Sequence, residues 1–193
     1  MLVLLDRDGV LNADRPDHVG NPGELVMIPG AAAAVARLNA AGHQVAVCTN
    51  QSCVGRGIVS PEMLDRIHAR LRDELAREGG RIDLLLVCTD PPWAAGPRRK
   101  PAPGMLREAM TRFRAAPGDT VFVGDALTDL QAAAAAGCRR VLVRTGKGAA
   151  TQAKGLPAEV LPVAVHADLA DAVEAILAGA VPAGAAPDPW ALP

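Results

Sequence analysis

Two carboxylates follow a short apolar run at the start of the chain. Leu2–Leu5 are succeeded at once by Asp6, Arg7 and Asp8, and then by Gly9. A short apolar run bounded by a glycine is typical of a strand covered on both faces of a parallel sheet. Such sheets bind ligands at the carboxyl ends of their strands. Asp6 and Asp8 are therefore candidates for chemistry, although a strand end that turns into solvent explains an isolated Asp-x-Asp equally well.

Polar groups also follow three later apolar runs, directly after two of them and across a loop after run 82–88. They are Thr49–Ser52, Arg98–Pro101 and Gly124–Asp129. Any one of them could be a turn or a helix cap, and Asp125 in particular could cap the helix that follows it. Four such groups in this order are hard to explain as caps. They predict one site at the rim of a sheet.

These residue types permit phosphoryl transfer through an aspartate. Asp6 and Asp125 can share Mg²⁺, which prefers carboxylate and water oxygens. Lys100 supplies a fixed positive charge, and Thr49 can hold phosphate oxygens beside backbone N–H groups. Asp6 would form an aspartyl phosphate, which splits hydrolysis into two easier steps. Asp8 would protonate the leaving oxygen and later deprotonate the attacking water.

The same segments resemble the four motifs of the haloacid dehalogenase superfamily. The matching stretches are Asp6–Asn12, Thr49–Ser52, Arg99–Pro101 and Gly124–Asp125. The resemblance implies a Mg²⁺-dependent phosphatase, because phosphatases and mutases of this superfamily carry Asp where Asp8 stands. It also implies catalysis by Asp6, Asp8, Thr49 and Lys100. The metal would be held by Asp6, Asp125 and Asp8, the last through its backbone carbonyl.

Within the superfamily, two further runs resemble the heptose-bisphosphate and histidinol-phosphate phosphatases. These are Arg99–Met105 and Thr145–Gly148. The implied substrate is a heptose 1,7-bisphosphate that is hydrolysed to the 1-phosphate, with histidinol phosphate or another small phosphomonoester as the alternative. The residues implied in substrate binding are Asp14, Arg15, Asp17, Thr49, Asn50, Gln51, Ser52, Arg99 and Lys100. Arg56 and Arg98 could join Arg99 in binding a second phosphate, or could equally be solvated loop cations.

Alternating strand and helix signals predict the elements that position this site. Strands are expected at 2–5, 44–48, 82–88, 120–123 and 141–144, with a weaker one near 163–165. Helices are expected at 31–41, 61–78, 104–115, 127–136 and 168–178. The fold class is therefore α/β, a Rossmann-like domain with a central parallel sheet flanked by helices. We expect one capless domain over 1–179 and a Pro/Ala-rich tail over 180–193.

Helix 61–78 carries an apolar stripe made by Leu64, Ile67, Leu71 and Leu75, which predicts core packing. His68 is expected on the polar side of this helix, in contact with solvent. The remaining histidines are scattered along the chain.

Composition excludes several other classes of function. Lys+Arg 20 nearly balance Asp+Glu 21, and aromatic residues make up 2% of the chain, so neither a nucleic-acid surface nor a polybasic membrane patch is present. No apolar run approaches the length of a membrane span. The four cysteines show no disulfide pattern, so we expect buried thiols in a reducing cytoplasm. A monomer is expected.

Two further expectations concern alternatives. Related proteins often carry a zinc clip before the Arg-Lys pair, but Cys88 is the one ligand of four that survives here, so we predict no zinc.

A signalling receiver module also uses acidic residues, Thr and Lys around a phosphoaspartate. There the phospho-accepting Asp lies mid-chain after an acidic pair, whereas here the candidate nucleophile is residue 6.

Overall fold

Six parallel strands form one central sheet with helices on both faces. The structure is a computed structural model that describes residues 1–184. The strands are β1 Leu2–Leu5, β2 Gln44–Asn50, β3 Leu84–Cys88, β4 Thr120–Gly124, β5 Arg139–Val143 and β6 Ala164–His166. Their order across the sheet is β3-β2-β1-β4-β5-β6. The predicted α/β fold with a parallel sheet is confirmed.

Seven α-helices are present over residues 1–184. They are α1 Ala31–Ala40, α2 Ser52–Gly55, α3 Pro61–Arg77, α4 Gly104–Phe113, α5 Leu127–Ala136, α6 Gly148–Ala153 and α7 Leu169–Leu177. The short helices α2 and α6 were not expected. The segments that follow β1 and β2 are loops and helices, and neither forms a separate folded cap over the sheet.

Side chains of alternating residues in the strands build a core on each face of the sheet. Val3 and Leu5 of β1 pack with α1, α3 and α7, whereas Leu2 and Leu4 pack with α4 and α5. Successive side chains of a strand point to opposite faces, so an unbroken apolar run is what a doubly covered strand requires. The central position of β1 places the end of this strand beside the ends of β2 and β4.

Helix α3 begins and ends where its sequence signals indicate. The Ser60 hydroxyl accepts a hydrogen bond from the backbone N–H of Met63, Pro61 takes the first position, and Gly79 follows the helix with a φ of 78°. The apolar stripe of this helix is buried as predicted.

The expected solvent-facing position of His68 is wrong, because this side chain is buried too. It lies four residues after Leu64 and three before Leu71, and residues at this spacing share one face of a helix.

Strand β5 starts two residues earlier than predicted because it opens with two arginines. The buried guanidinium of Arg140 donates hydrogen bonds to the backbone carbonyls of Cys138 and Leu161, at 3.2 and 3.1 Å. Two adjacent arginines are not a sequence pattern that predicts a buried strand. The neighbouring carbonyls make this strand start possible.

The end of the chain lies only partly within the described region. Val181 is buried in the same core as α7, and residues 185–193 of the expected tail lie outside the described residues. The domain boundary at 179 therefore stays a prediction. Over residues 1–184, no helix is long and apolar enough to cross a membrane. The four cysteines are buried free thiols, as expected.

Candidate active site

The ends of two neighbouring strands, the first turn of α5 and the loop before α4 bring four charged groups together. Asp6 follows β1, Asp125 follows β4, Asp129 lies in the first turn of α5, and Lys100 precedes α4. One carboxylate oxygen from each of the three aspartates lies within 4.8 Å of the others. The Nζ of Lys100 is 2.9 Å from Asp6 Oδ1 and 2.7 Å from Asp129 Oδ1. The predicted gathering of strand-end residues is therefore present.

This cluster carries more negative charge than its own lysine balances. Burial, with Asp129 and Asp8 adding to it, raises the pKa of Asp6 to about 6. Burial, with Asp129 and Asp6 adding to it, raises the pKa of Asp125 to about 7. Burial alone would lower the pKa of Lys100, but the two carboxylates beside it raise it. Such an environment is suited to one more cation.

The donor set matches a hard divalent cation. Over residues 1–184, Oδ2 of Asp6 and Oδ1 of Asp125 receive no hydrogen bond, so one oxygen of each carboxylate is available as a ligand. Both oxygens of Asp129 are used, because Oδ1 pairs with Lys100 and Oδ2 accepts from the backbone N–H groups of Asp125 and Ala126. All these atoms are oxygens, as Mg²⁺ prefers.

Two glycines allow the Asp125 carboxylate to reach its position. A Cβ at Gly9 would lie 2.0 Å from Asp125 Oδ2, and one at Gly146 would lie 2.1 Å from the same atom. Both glycines have positive φ angles, 84° and 55°, which other residues rarely adopt. The backbone N–H of Lys147 donates to Asp125 Oδ2 at 2.7 Å, and the Thr145 hydroxyl donates to Gly9 O at 2.6 Å. The run Thr145–Gly148 thus helps to build the site.

The Asp8 carboxylate lies beside the cluster and accepts hydrogen bonds from three side chains. Arg7 donates through Nε and Nη2, Asn12 through Nδ2 at 2.8 Å, and Gln51 through Nε2 at 2.7 Å. Burial alone would raise the pKa of Asp8, but the Arg7 guanidinium and these hydrogen bonds lower it overall. Asp8 is thus held mainly as an anion.

The inner residues proposed from the sequence surround one cleft. Asp6, Asp8, Thr49, Lys100 and Asp125 line it, together with Asp14, Asn50, Ser52 and Arg99. Gln51 does not line the cleft. Its amide instead bridges Thr49 Oγ1 and Asp8 Oδ2, at 2.8 and 2.7 Å.

The remaining substrate-binding candidates lie further out. Arg15 and Asp17 form an exposed ion pair of 3.0 Å with each other, outside the lining of the cleft. Arg56 places Nη1 3.4 Å from Nε2 of His18, and His18 does line the cleft. Arg98 pairs with Glu108 of α4 at 3.1 Å.

Four residues of the site were not selected from the sequence. Asp129 was visible as the last residue of Gly124–Asp129, and its place one turn into a helix at the strand end was the signal. Lys147 lines the cleft and pairs with Asp14 at 3.0 Å. His18 has a φ of 65°, which no sequence pattern shows. Arg7 is buried beneath the site although it stands between two recognised aspartates.

Comparison with known proteins agrees with this geometry. A family profile described as HAD-hydrolase-like matches residues 97–172, which include Lys100, Asp125 and Asp129. The crystal structure of D,D-heptose 1,7-bisphosphate phosphatase from B. bronchiseptica, complexed with magnesium and phosphate, is 41% identical in sequence. It superposes with a TM-score of 0.87 over 92% of this chain and 98% of that one. The fold is that of a haloacid dehalogenase-type phosphatase, and the chain is a phosphoric monoester hydrolase.

Proteins with similar sequences identify a narrower family within this class of phosphatases. D-glycero-β-D-manno-heptose-1,7-bisphosphate 7-phosphatase of Pseudomonas aeruginosa is 43% identical over 91% of this chain and 97% of its own length. The corresponding protein of Pseudomonas putida is 43% identical over 83% of this chain and 91% of its own. The chain belongs to the family of heptose-1,7-bisphosphate 7-phosphatases.

Proposed function

We propose that this protein hydrolyses the 7-phosphate of D-glycero-β-D-manno-heptose 1,7-bisphosphate, with Mg²⁺ and through an aspartyl phosphate at Asp6. The observation that carries the chemistry is the buried cluster of Asp6, Asp125 and Asp129 around Lys100. The substrate is taken from the relatives that match nearly the whole chain.

Asp6 and Asp125 would hold the cation with one carboxylate oxygen each, and the backbone carbonyl of Asp8 would complete the protein ligands. When bound, the cation supplies positive charge that lets an anionic carboxylate and an anionic phosphate approach each other. Asp129 holds Lys100 and the backbone around Asp125 in place. These fixed charges need no reorganisation during the reaction.

The first half-reaction is attack by a carboxylate oxygen of Asp6 on phosphorus, with departure of the sugar oxygen. The Thr49 hydroxyl and Lys100 Nζ line the cleft where the phosphate oxygens would lie. Asp8 delivers a proton to the leaving sugar oxygen. The resting anion of Asp8 must first take up that proton, and the negative charge of the substrate phosphate favours this by raising the pKa of the carboxyl.

The second half-reaction is attack by water on the phosphorus of the aspartyl phosphate. Asp8, now an anion again, accepts the proton of that water. The hydrogen bonds from Arg7, Asn12 and Gln51 stabilise the anionic form and so suit this step. Inorganic phosphate then leaves, and Asp6 is regenerated.

The outer part of the cleft would bind the sugar and its second phosphate. Arg99 lines the cleft, and Arg56 is connected to it through His18. Asp14 and Ser52 add polar groups for sugar hydroxyls. A cationic rim of this kind favours a bisphosphate over histidinol phosphate, whose own amine is positively charged.

A zinc ion is not part of this proposal. Loop 89–99 is closed by hydrogen bonds, since the Asp90 carboxylate accepts from the Gly96 N–H at 3.0 Å and Arg99 Nη1 donates to the Asp90 carbonyl at 2.6 Å. Cys88 precedes this loop and is buried. Elemental analysis of protein purified without chelator should show no stoichiometric zinc, and tightly bound zinc would contradict this expectation.

We further propose a cytoplasmic monomer with one domain over 1–179.

The substrate is tested by comparing phosphate release from three compounds in the presence of Mg²⁺. They are the β-heptose 1,7-bisphosphate, histidinol phosphate and a simple sugar monophosphate. We expect kcat/KM for the bisphosphate to be higher by at least about 10²-fold. The other compounds have no second phosphate, so the charged contacts of Arg99 and Arg56 with it would be missing. ³¹P NMR should show the phosphate at C1 retained in the product. A higher kcat/KM for histidinol phosphate would contradict the proposal.

A further inference from the structure

A buried chain of hydrogen bonds connects helix α3 to the Asp8 carboxylate. Arg7 is 1% exposed and His68 is 3% exposed, and they lie 61 positions apart in the sequence. Nη1 of Arg7 is 3.2 Å from Nε2 of His68. On its other side, the same guanidinium places Nη2 2.9 Å from both oxygens of Asp8, and Nε 3.2 Å from Oδ1.

The chemistry of the three groups gives this chain a direction. A guanidinium only donates hydrogen bonds, so Nε2 of His68 must be the acceptor and the imidazole must be neutral, with its proton on Nδ1. Burial, together with the positive charge of Arg7, lowers the pKa of His68 to about 4. His68 is thus a neutral acceptor that fixes one end of the guanidinium while Asp8 receives the other.

We propose that Arg7 and His68 are positioning residues: His68 anchors the guanidinium of Arg7, whose planar fork holds the Asp8 carboxylate in the orientation needed for proton transfer. This inference rests on the role of Asp8 in the proposed function. Asp8 lies three residues beyond β1, where it forms an isolated bridge with Asn12, so its orientation is not set by the sheet. Arg7 therefore couples it to the buried stripe of α3, which packs in the core.

A purely structural role would predict a different outcome. A buried Arg–Asp pair needs only its two partners for charge balance, and the third contact to His68 would then be incidental packing. If His68 instead sets the angle of the fork, its loss should affect the step that uses the Asp8 proton and spare a reaction that does not. The leaving group of the substrate separates the two cases.

The experiment compares His68→Leu with His68→Gln. Leucine keeps the apolar bulk but offers no acceptor to Arg7, whereas the glutamine carbonyl reaches about as far as Nε2 does. Both are assayed with the heptose bisphosphate, or with whichever alkyl phosphate the wild type hydrolyses, and with 4-nitrophenyl phosphate. The nitrophenolate departs as a stable anion without a donated proton. For each substrate kcat/KM is used, because it reports the steps up to departure of the leaving group.

We expect His68→Leu to lower kcat/KM for the alkyl phosphate by about 10- to 100-fold, a part of the 10²- to 10⁴-fold that a positioned acid supplies. For 4-nitrophenyl phosphate the loss should stay below about threefold. His68→Gln should retain activity within about threefold of wild type on both substrates. Equal losses on the two substrates, or equal losses in the Leu and Gln variants, would overturn the proposal.

Arg7→Lys gives a second route if His68→Leu does not fold. A lysine keeps the charge but cannot form the planar fork, so the same selective loss on the alkyl phosphate is expected. An equal loss on both substrates would again contradict the inference.

Two further measurements test the proposed function independently of the Arg7–His68 pair. Asp8→Asn should show the alkyl-selective loss at full size, and its absence would refute the role of Asp8 itself. Failure of wild type on the heptose bisphosphate alone would refute the proposed substrate and leave the network to be tested on another alkyl phosphate.

Discussion

The inner and outer parts of the cleft are built in different ways. The inner part consists of buried charges at strand ends, and each of them is held by at least one hydrogen bond or ion pair, as Lys100 is held between Asp6 and Asp129. The outer part is formed by loop side chains such as Asp14 and Arg99, and beyond it the exposed side chains of Arg15 and Asp17 pair with each other. In the proposed function, catalysis would therefore depend on groups fixed by buried contacts, and substrate choice on loop side chains with fewer such contacts.

The largest effect is expected from Asp6→Asn. Loss of the nucleophile should lower phosphate release by more than about 10³-fold, because no other side chain can form the covalent intermediate. The amide removes a buried charge, so the protein should remain folded. Phosphate release and circular dichroism measured on the same preparation check this. More than a few per cent of residual activity would show that the covalent mechanism is wrong.

Lys100→Met should affect both rate and stability. We expect kcat to fall by about 10²-fold, since a preorganised positive charge is lost. The free energy of unfolding should fall by about 3 kcal/mol, because Asp6 and Asp129 lose their buried partner. Because the pKa of Asp6 is raised to about 6, more of this carboxylate is ionised at pH 8, and the destabilisation should be larger at pH 8 than at pH 6.

Lys147→Met provides the matched control for stability. Its side chain is mostly exposed where Nζ pairs with Asp14, so the cost should stay below about 1 kcal/mol. Equal destabilisation of the two variants in urea unfolding would contradict the distinction between the inner and outer parts of the cleft.

Mg²⁺ binding should strengthen steeply with pH. The folded pKa values of Asp6 and Asp125, about 6 and about 7, lie above the ordinary value of 3.8, so the metal-free fold binds more protons than the unfolded chain. Without metal, stability should therefore fall as pH rises from about 4 through 7. The cation must displace these protons to bind. Between pH 6 and 7, its apparent affinity should therefore rise about tenfold per pH unit for each proton that it displaces.

Calorimetric titration of Mg²⁺ at pH 6, 7 and 8 measures this dependence. Asp125→Asn should weaken binding at every pH and flatten the dependence, as one of the two titrating ligands is gone. An affinity for Mg²⁺ that does not change with pH in the wild type would contradict the assignment of these carboxylates as ligands.

The smallest effect is expected at the rim. Arg99→Met should lower kcat/KM for the bisphosphate by about tenfold, the value of one charged hydrogen bond, and leave that for 4-nitrophenyl phosphate unchanged. Arg98→Met is the matched control, because Arg98 pairs with Glu108 on α4. Parallel assays of both variants decide the matter. A loss on both substrates would mean that Arg99 acts on loop 89–99 and Lys100 rather than on the second phosphate.

The sequence predicts the inner part of the cleft better than the outer part. Asp6, Thr49, Lys100 and Asp125 were identified because each follows an apolar run or a recognised motif, and parallel strands bring such positions to one edge. His68 was misassigned because a titratable residue was given to solvent although its spacing placed it on the buried stripe. Its partner Arg7 is distant in sequence, so only the packing of α3 against the site reveals the pair.

The rim could not be predicted to the same degree. Whether Arg15 points to Asp17 or into the cleft depends on the conformation of loop 13–29, which is held by local contacts such as the Asn21 and Glu24 hydrogen bonds. Similarly, the left-handed backbone of His18 follows from its surroundings in the loop and from no pattern in the residue types.

Gly9 and Gly146 have a consequence for how such an enzyme can change. A single methyl group at either position would occupy the space of the Asp125 carboxylate. A mutant library that randomises these two positions should therefore yield one functional residue at each, whereas libraries at 15, 17 or 56 have no comparable steric restriction. New substrates would be acquired by drift of the rim around a centre that does not tolerate even the smallest side chain.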